Sequence, residues 1–336
     1  MSAPGACILG LKGPELTPPE RDLFRRIRPW GFILFGRNVE TPAQLRRLTS
    51  DLREAVGDEA PVLIDQEGGR VARLGAPHWR EWMAPLDQVA AVGPDGAARS
   101  MWLRYRIIAA ELHDLGIDVC CAPLADVAEG TTHPFLKNRC YGFDPDTVAA
   151  IARAVAEGLQ AGGVLPVLKH IPGHGRAVVD SHRDVPFTAA RAGELRARDF
   201  AAFRALRDLP MAMTAHVVYA AFDGARVATR SPRMIELVRE EIGFEGLLMS
   251  DDIGMGALSG PVELRSRAAL DAGCDLVLHC NGNPDEMEVV ADAAGALDGA
   301  AARRAGEALA WRRPPEPVDF AALEAELAEL LDGTKA

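Results

Sequence analysis

The chain has 336 residues, 48% hydrophobic and 25% charged, with six cysteines and a formal net charge of −11. That length fits one α/β barrel of about 250 residues plus insertions, large enough to bury a core without a disulfide or metal staple. The acidic balance argues against a nucleic-acid partner, and no apolar run reaches the about 20 residues of a membrane span.

Short apolar runs predict strands over 6–11, 31–35, 61–65, 118–122, 165–169, 211–214, 246–250 and 274–278. They are nearly continuous in apolarity, as strands buried on both faces of a parallel sheet are. Helical patterns alternate with them. The first covers 42–56, with Thr41 as N-cap and Pro42 at the first helical position. Others cover 97–115, 146–161, 189–206, 232–242, 262–272 and 285–297. Eight strands alternating with helices predict right-handed βαβ units closed into a single-domain (β/α)8 TIM-type barrel. A doubly wound open sheet is the alternative, but no GxGxxG or P-loop follows the first strand. Pro314-Pro315-Glu316-Pro317 breaks the helix preceding it and starts a short C-terminal tail, in which 320–331 reads as a packed surface helix. One catalytic domain over 1–336, with a C-terminal helical tail from about 314, is therefore expected.

The arginines at 25–28 and 303–304 read as solvated helix faces. Cys7, Cys120, Cys121, Cys140, Cys274 and Cys280 lack CxxC spacing and read as free thiols of a reducing compartment. The N-terminus has no basic leader, and its apolar stretch is too short for a signal h-region. A cytoplasmic, monomeric enzyme without metal or cofactor is the expectation.

In a barrel the active site is built from strand C-terminal ends and the loops after them. Here the apolar runs end in Asp65-Gln66-Glu67, Lys169-His170, His216 and Asp251-Asp252. Four strands feeding ionisable groups to one face predict a shared active site. Gly173 and Gly175 give the next loop room to turn tightly, and it carries Asp180 and His182. Two residues apart in an extended loop, these side chains project to one side. A carboxylate beside an imidazole fixes its tautomer and raises its pKa, which suits a group that donates and then accepts a proton. Asp251 near that pair supplies a nucleophile, the minimum for retaining glycoside hydrolysis. His170, His174, Asp180 and His182 also suit a metal-dependent amidohydrolase, though the first strand carries no HxH.

These residues resemble glycoside hydrolase family 3, in particular the bacterial β-N-acetylhexosaminidases of peptidoglycan recycling. The matching motifs are Ile64-Asp65-Gln66-Glu67-Gly68-Gly69-Arg70-Val71 and Lys169-His170-x-Pro172-Gly173-His174-Gly175, followed by Asp180-Ser181-His182. Met213-Thr214-Ala215-His216, Ala228-Thr229-x-Ser231, Ser250-Asp251-Asp252 and Gly273-Cys274-Asp275 complete the set. The resemblance implies Asp251 as nucleophile, His182 as acid/base and Asp180 as its partner. It implies Asp65, Arg73, Arg139, Lys169 and His170 as sugar-binding groups. It further implies a GlcNAc-β-1,4-linked 1,6-anhydro-MurNAc muropeptide as substrate. The family's β-glucosidase branch takes a Glu acid from a second domain, which this chain is too short to contain. The sequence departs from the family at Ile171 for Phe, Arg176-Ala177 for Asp-Thr, Val227 for Pro and Gly254 for Ser, and at Cys140-Tyr141 for Ser-Phe. A histidine acid/base repels an anionic acceptor less than a carboxylate would, so phosphorolysis is the nearest alternative reaction. A catalytically silent sugar-binding barrel would need a broken Asp251–His182 pair, and both residues are present.

Overall fold

Each apolar run becomes a parallel strand: β1 (Gly5–Gly10), β2 (Pro29–Leu34), β3 (Val62–Ile64), β4 (Val119–Cys120), β5 (Leu165–Ile171), β6 (Met211–Thr214), β7 (Leu247–Asp252) and β8 (Leu276–His279). They pair in sequence order, and β1 closes on β8 to complete a barrel ringed by helices. The structure, a computed structural model, describes residues 3–177 and 185–332. Both faces of the strands are buried, which explains their unbroken apolarity. Along β8, Leu276 and Leu278 join the cluster inside the barrel, and Val277 joins the one between barrel and helices. Ile8 likewise faces the interior while Cys7 and Leu9 pack outward.

Several strand ends differ from expectation. The ladder of β5 runs on to Ile171 and that of β7 to Asp252, so Lys169, His170 and Asp251 sit within strands. By contrast β4 keeps only Val119 and Cys120. Only a helix face at 25–28 was expected; the helix there runs over Pro18–Ile27. Its sequence nevertheless carries a capping box: the Glu20 backbone N–H donates to Thr17 Oγ1, and the Glu20 carboxylate accepts the Thr17 N–H at 3.1 Å. Arg28 caps that helix in a left-handed conformation (φ 44°) and pairs with Asp58, so it is not a helix-face residue. The expected helices over 189–206 and 232–242 each contain a π segment, Leu195–Asp199 and Val238–Ile242. The extra residue of a π turn is invisible to a 3.6-residue pattern. Helices Pro85–Val92 and Pro134–Lys137 also lay outside the expectation, and the helix face expected at 303–304 belongs to Gly299–Leu309.

The C-terminal helix Phe320–Asp332 buries Leu323 and Leu327 against helix Pro94–Asp114 and adds a bidentate Arg99–Glu326 pair at 2.6 and 2.7 Å. In that neighbourhood burial pushes the Glu111 carboxyl up to about 7. At the opposite end of the barrel from the strand C-termini, Asp275 accepts the Leu248 N–H (2.9 Å) and pairs with Arg239 (2.7 Å) and Arg304 (2.8 Å). Arg304 is thus half-buried in an ion pair, not a solvated face. Among the described residues no helix is long and apolar enough to cross a membrane.

Candidate active site

The strand C-terminal ends surround a cleft of about 270 Å³. Asp65, Arg73, Arg139, Lys169, His170 and Asp251, all expected from the sequence, line it together. Asp180 and His182 lie outside the described residues.

One wall is an alternating chain of charges. Asp65 takes Arg73 on one oxygen (2.9 Å) and Lys169 on the other (2.8 Å). Lys169 also reaches Glu67 at 2.6 Å, and Glu67 holds Arg139 in a two-pronged pair at 2.8 Å on both sides. Burial opposes the charged forms of Asp65, Glu67, Lys169 and Arg139, yet their partners outweigh it. The Asp65 carboxyl falls well below the usual carboxylate range, and the Lys169 ammonium rises above the usual lysine range. Charge-assisted donors and acceptors of this kind form the stronger hydrogen bonds to sugar hydroxyls.

Glu67, fully buried, is the hub of that chain, and the sequence reading quoted it in a motif without giving it a role. Its backbone carbonyl accepts from the buried Arg104, which also donates to Gln88 Oε1 at 2.9 Å. That close approach requires glycine at 68: a Cβ there would meet Arg104 Nη2 at 1.7 Å, and the backbone is left-handed at φ 94°.

Asp126 is a second hub that the sequence reading missed. Its Oδ2 lies 2.7 Å from His170 Nδ1, and its Oδ1 accepts the backbone N–H groups of His170 (3.3 Å) and His174 (2.6 Å). Although burial pushes the Asp126 carboxyl up, His170 and His174 bring it below the usual range. It is therefore an acceptor, and the His170 Nδ1–H donates to it. His174 also lines the cleft; burial and the neighbouring His170 lower its imidazole to about 4, so it is neutral near pH 7.

At the end of β7 two adjacent carboxyls are driven apart. Burial pushes Asp251 up, but the imidazoles of His216 and His170, the Asp252 N–H (2.7 Å) and Lys169 hold it below the usual carboxylate range. Asp252 is raised by burial, and the Asp251 charge adds to the shift. Asp252 Oδ1 is occupied by the N–H groups of Gly254 (2.9 Å) and Cys280 (3.2 Å). His216 Nε2–H donates to the Asp252 carbonyl at 3.0 Å, and its Nδ1 faces Thr229 Oγ1 at 2.7 Å. The result is an ionised carboxylate at the cleft beside a second cleft-lining carboxyl, one oxygen of which is committed to backbone donors. Of the six thiols, five are buried and Cys280 reaches the cleft. Among the described residues no group of three or more His, Cys, Asp or Glu is arranged to hold a metal ion.

A closed parallel barrel with an ionised carboxylate and a wall of charge-assisted hydrogen-bond groups at its strand ends is the framework of a barrel-type glycoside hydrolase. The comparisons with known proteins agree. The chain belongs to glycosyl hydrolase family 3, matching its N-terminal domain over residues 27–305. It is 36% identical over 296 residues to a beta-hexosaminidase of Alkalilimnicola ehrlichii, covering 85% of this chain and 83% of that one. A beta-hexosaminidase of Vibrio cholerae is 36% identical over 292 residues, with 85% and 86% covered. Among solved structures, NagZ from Neisseria gonorrhoeae in complex with N-trifluoroacetyl-D-glucosamine superposes with a TM-score of 0.86 at 30% identity, over 98% of this chain and 99% of that one.

Proposed function

We propose that the chain is a retaining exo-β-N-acetylglucosaminidase that removes terminal GlcNAc from peptidoglycan fragments through a covalent glycosyl-enzyme. Its membership of glycosyl hydrolase family 3, with beta-hexosaminidases as relatives, makes it a hydrolase of the β-N-acetylhexosaminidase type. The finer reading rests on the residues. Asp65, Arg73, Arg139, Lys169 and His170 bind the hydroxyls of the terminal sugar and turn its anomeric carbon toward β7. His182, with Asp180 beside it, protonates the leaving oxygen while the Asp251 carboxylate attacks that carbon. In the second step deprotonated His182 takes a proton from water, which displaces Asp251 with a second inversion. The substrates are GlcNAc-1,6-anhydro-MurNAc muropeptides, met in the cytoplasm during wall recycling.

The observation that carries this reading is Asp251: a carboxylate kept ionised by its surroundings and open to the cleft, while its neighbour Asp252, also at the cleft, gives one oxygen to backbone N–H groups. The test is hydrolysis of an aryl β-N-acetylglucosaminide against an aryl β-glucoside, by wild type, Asp251→Ala and His182→Ala, with and without chelator and inorganic phosphate. Chelator-resistant release from the N-acetyl substrate, abolished in Asp251→Ala at unchanged thermal stability, is the expected result. His182→Ala should slow poor leaving groups far more than activated aryl groups, since the lost group is the acid. Equal losses on both would remove His182 from that role, and a sugar phosphate formed with added phosphate would replace hydrolysis by phosphorolysis.

A further inference from the structure

Four cationic side chains line the cleft: Arg70, Arg73, Arg139 and Lys169. Three are already matched, Arg73 by Asp65, Arg139 by Glu67, and Lys169 by both. Arg70 is different. Among the described residues no carboxylate lies within 4.0 Å of it, and its guanidinium rests on the Phe135 ring, 4.2 Å from the centroid. It is exposed at the mouth of the cleft, whereas Lys169 and Glu67 are buried at its wall.

Its placement is built. Arg70 sits at the turn of a hairpin in which Gln66–Gly68 pairs with Val71–Ala72, directly after β3. The turn is pinned by the Gly69 N–H, which donates to the Trp82 carbonyl at 2.7 Å, and Gly69 is left-handed at φ 57°. A Cβ at 69 would meet Ala84 Cα at 2.9 Å, so the backbone beneath Arg70 has little freedom to shift. Stacking on Phe135 holds the guanidinium plane, and its edge keeps N–H donors free for a two-pronged acceptor.

A neutral terminal sugar has no use for a cation at the mouth that no described carboxylate matches. In an exo-acting cleft the part of the substrate that remains outward is the leaving group. We infer that Arg70 is a specificity-determining residue that binds a carboxylate carried by the leaving group, so that the enzyme favours anionic over neutral aglycones. This rests on the hydrolase reading above. Two carboxylates of that chemistry are available on a muramyl aglycone: that of the free lactyl ether, or those of a peptide attached to it.

The experiment compares kcat/KM on three substrates: N,N′-diacetylchitobiose, which is neutral; GlcNAc-β-1,4-MurNAc, with a free lactyl carboxylate; and the same disaccharide bearing an L-Ala-D-Glu dipeptide. Each is measured for wild type, Arg70→Gln and Arg70→Lys at low and high salt. The quantity read is the anionic-to-neutral ratio, which cancels any general loss of activity in a variant. It should fall roughly tenfold in Arg70→Gln, mainly through KM, and recover in part in Arg70→Lys. Added salt should lower the wild-type ratio and leave that of Arg70→Gln nearly unchanged. A fall confined to one anionic substrate identifies which carboxylate Arg70 meets, and either outcome supports the inference. A ratio unaltered in Arg70→Gln overturns it while leaving the hydrolase reading intact. A wild type that cleaves none of the three overturns both.

Discussion

Asp126 Oδ2 lies 2.7 Å from His170 Nδ1, and the other oxygen of the same buried carboxylate is filled by backbone N–H groups. With Nδ1–H donating to Asp126, the imidazole presents Nε2 to the cleft as an acceptor or, once protonated, as a donor. In Asp126→Asn one amide N–H must face either the ring nitrogen or a backbone donor, and the tautomer is no longer fixed. We expect kcat/KM on an aryl β-N-acetylglucosaminide to fall roughly 10- to 100-fold with the fold retained. Nitrogen-15 shifts of the His170 ring should report the tautomer change, and wild-type kinetics in Asp126→Asn would show that the contact only seats the loop.

Glu67 joins Lys169 to Arg139 with no exposure of its own. Removing one member of a buried charge network strands the others. Glu67→Gln should cost about 3 kcal/mol or more of unfolding free energy. Urea denaturation checks this, and a loss below about 1 kcal/mol would mean that Asp65 can satisfy Lys169 unaided.

The barrel and most of its wall were legible in the sequence because strands buried on both faces leave unbroken apolar runs, and polar groups at their ends then stand out. Asp126 escaped that rule because the expected run stops at 122, whereas the chain stays bonded to β5 beyond it, Lys169 N–H to the Pro123 carbonyl (2.9 Å) and Ala125 N–H to the Lys169 carbonyl (2.8 Å). Had 123–125 been read as part of the same apolar run, Asp126 would have qualified as a strand-end acid. Glu67 is different in kind. Nothing in a motif says which of three successive polar residues turns inward; the burial of Glu67 follows from Arg139, 72 positions away. The helix at Pro18–Ile27 was readable in Thr17-Pro18-Pro19-Glu20, a local signal that was passed over.

His174 is buried with its imidazole lowered to about 4, against an ordinary value of 6.5. The unfolded chain therefore binds the proton more readily between these values, and stability rises with pH across that window and falls on acidification. His174→Gln should flatten this part of the profile. Urea midpoints of wild type and variant near pH 4.5 and pH 7 test it, and equal slopes would show that the native site accepts the proton without cost.

Glu111 has the opposite sign. Its carboxyl is raised by burial from an ordinary 4.5 to about 7, so the folded state holds the proton more tightly and stability declines as pH rises through that interval. Glu111→Gln removes the charge and should raise the melting temperature near pH 8 while doing little near pH 4. A lower melting temperature at pH 8 would mean that the ionised carboxylate is stabilised by Arg80.

Asp275 gathers Leu248, Arg239 and Arg304 at the end of the barrel remote from the cleft. Closure between β7 and β8 is thus fastened at one end, while β7 delivers Asp251 at the other. Sites so far apart and without shared partners contribute nearly additively. The loops that choose a substrate can therefore be exchanged piecemeal without loosening the seam, and a lineage built on this scaffold is free to drift in diet while inheriting its architecture.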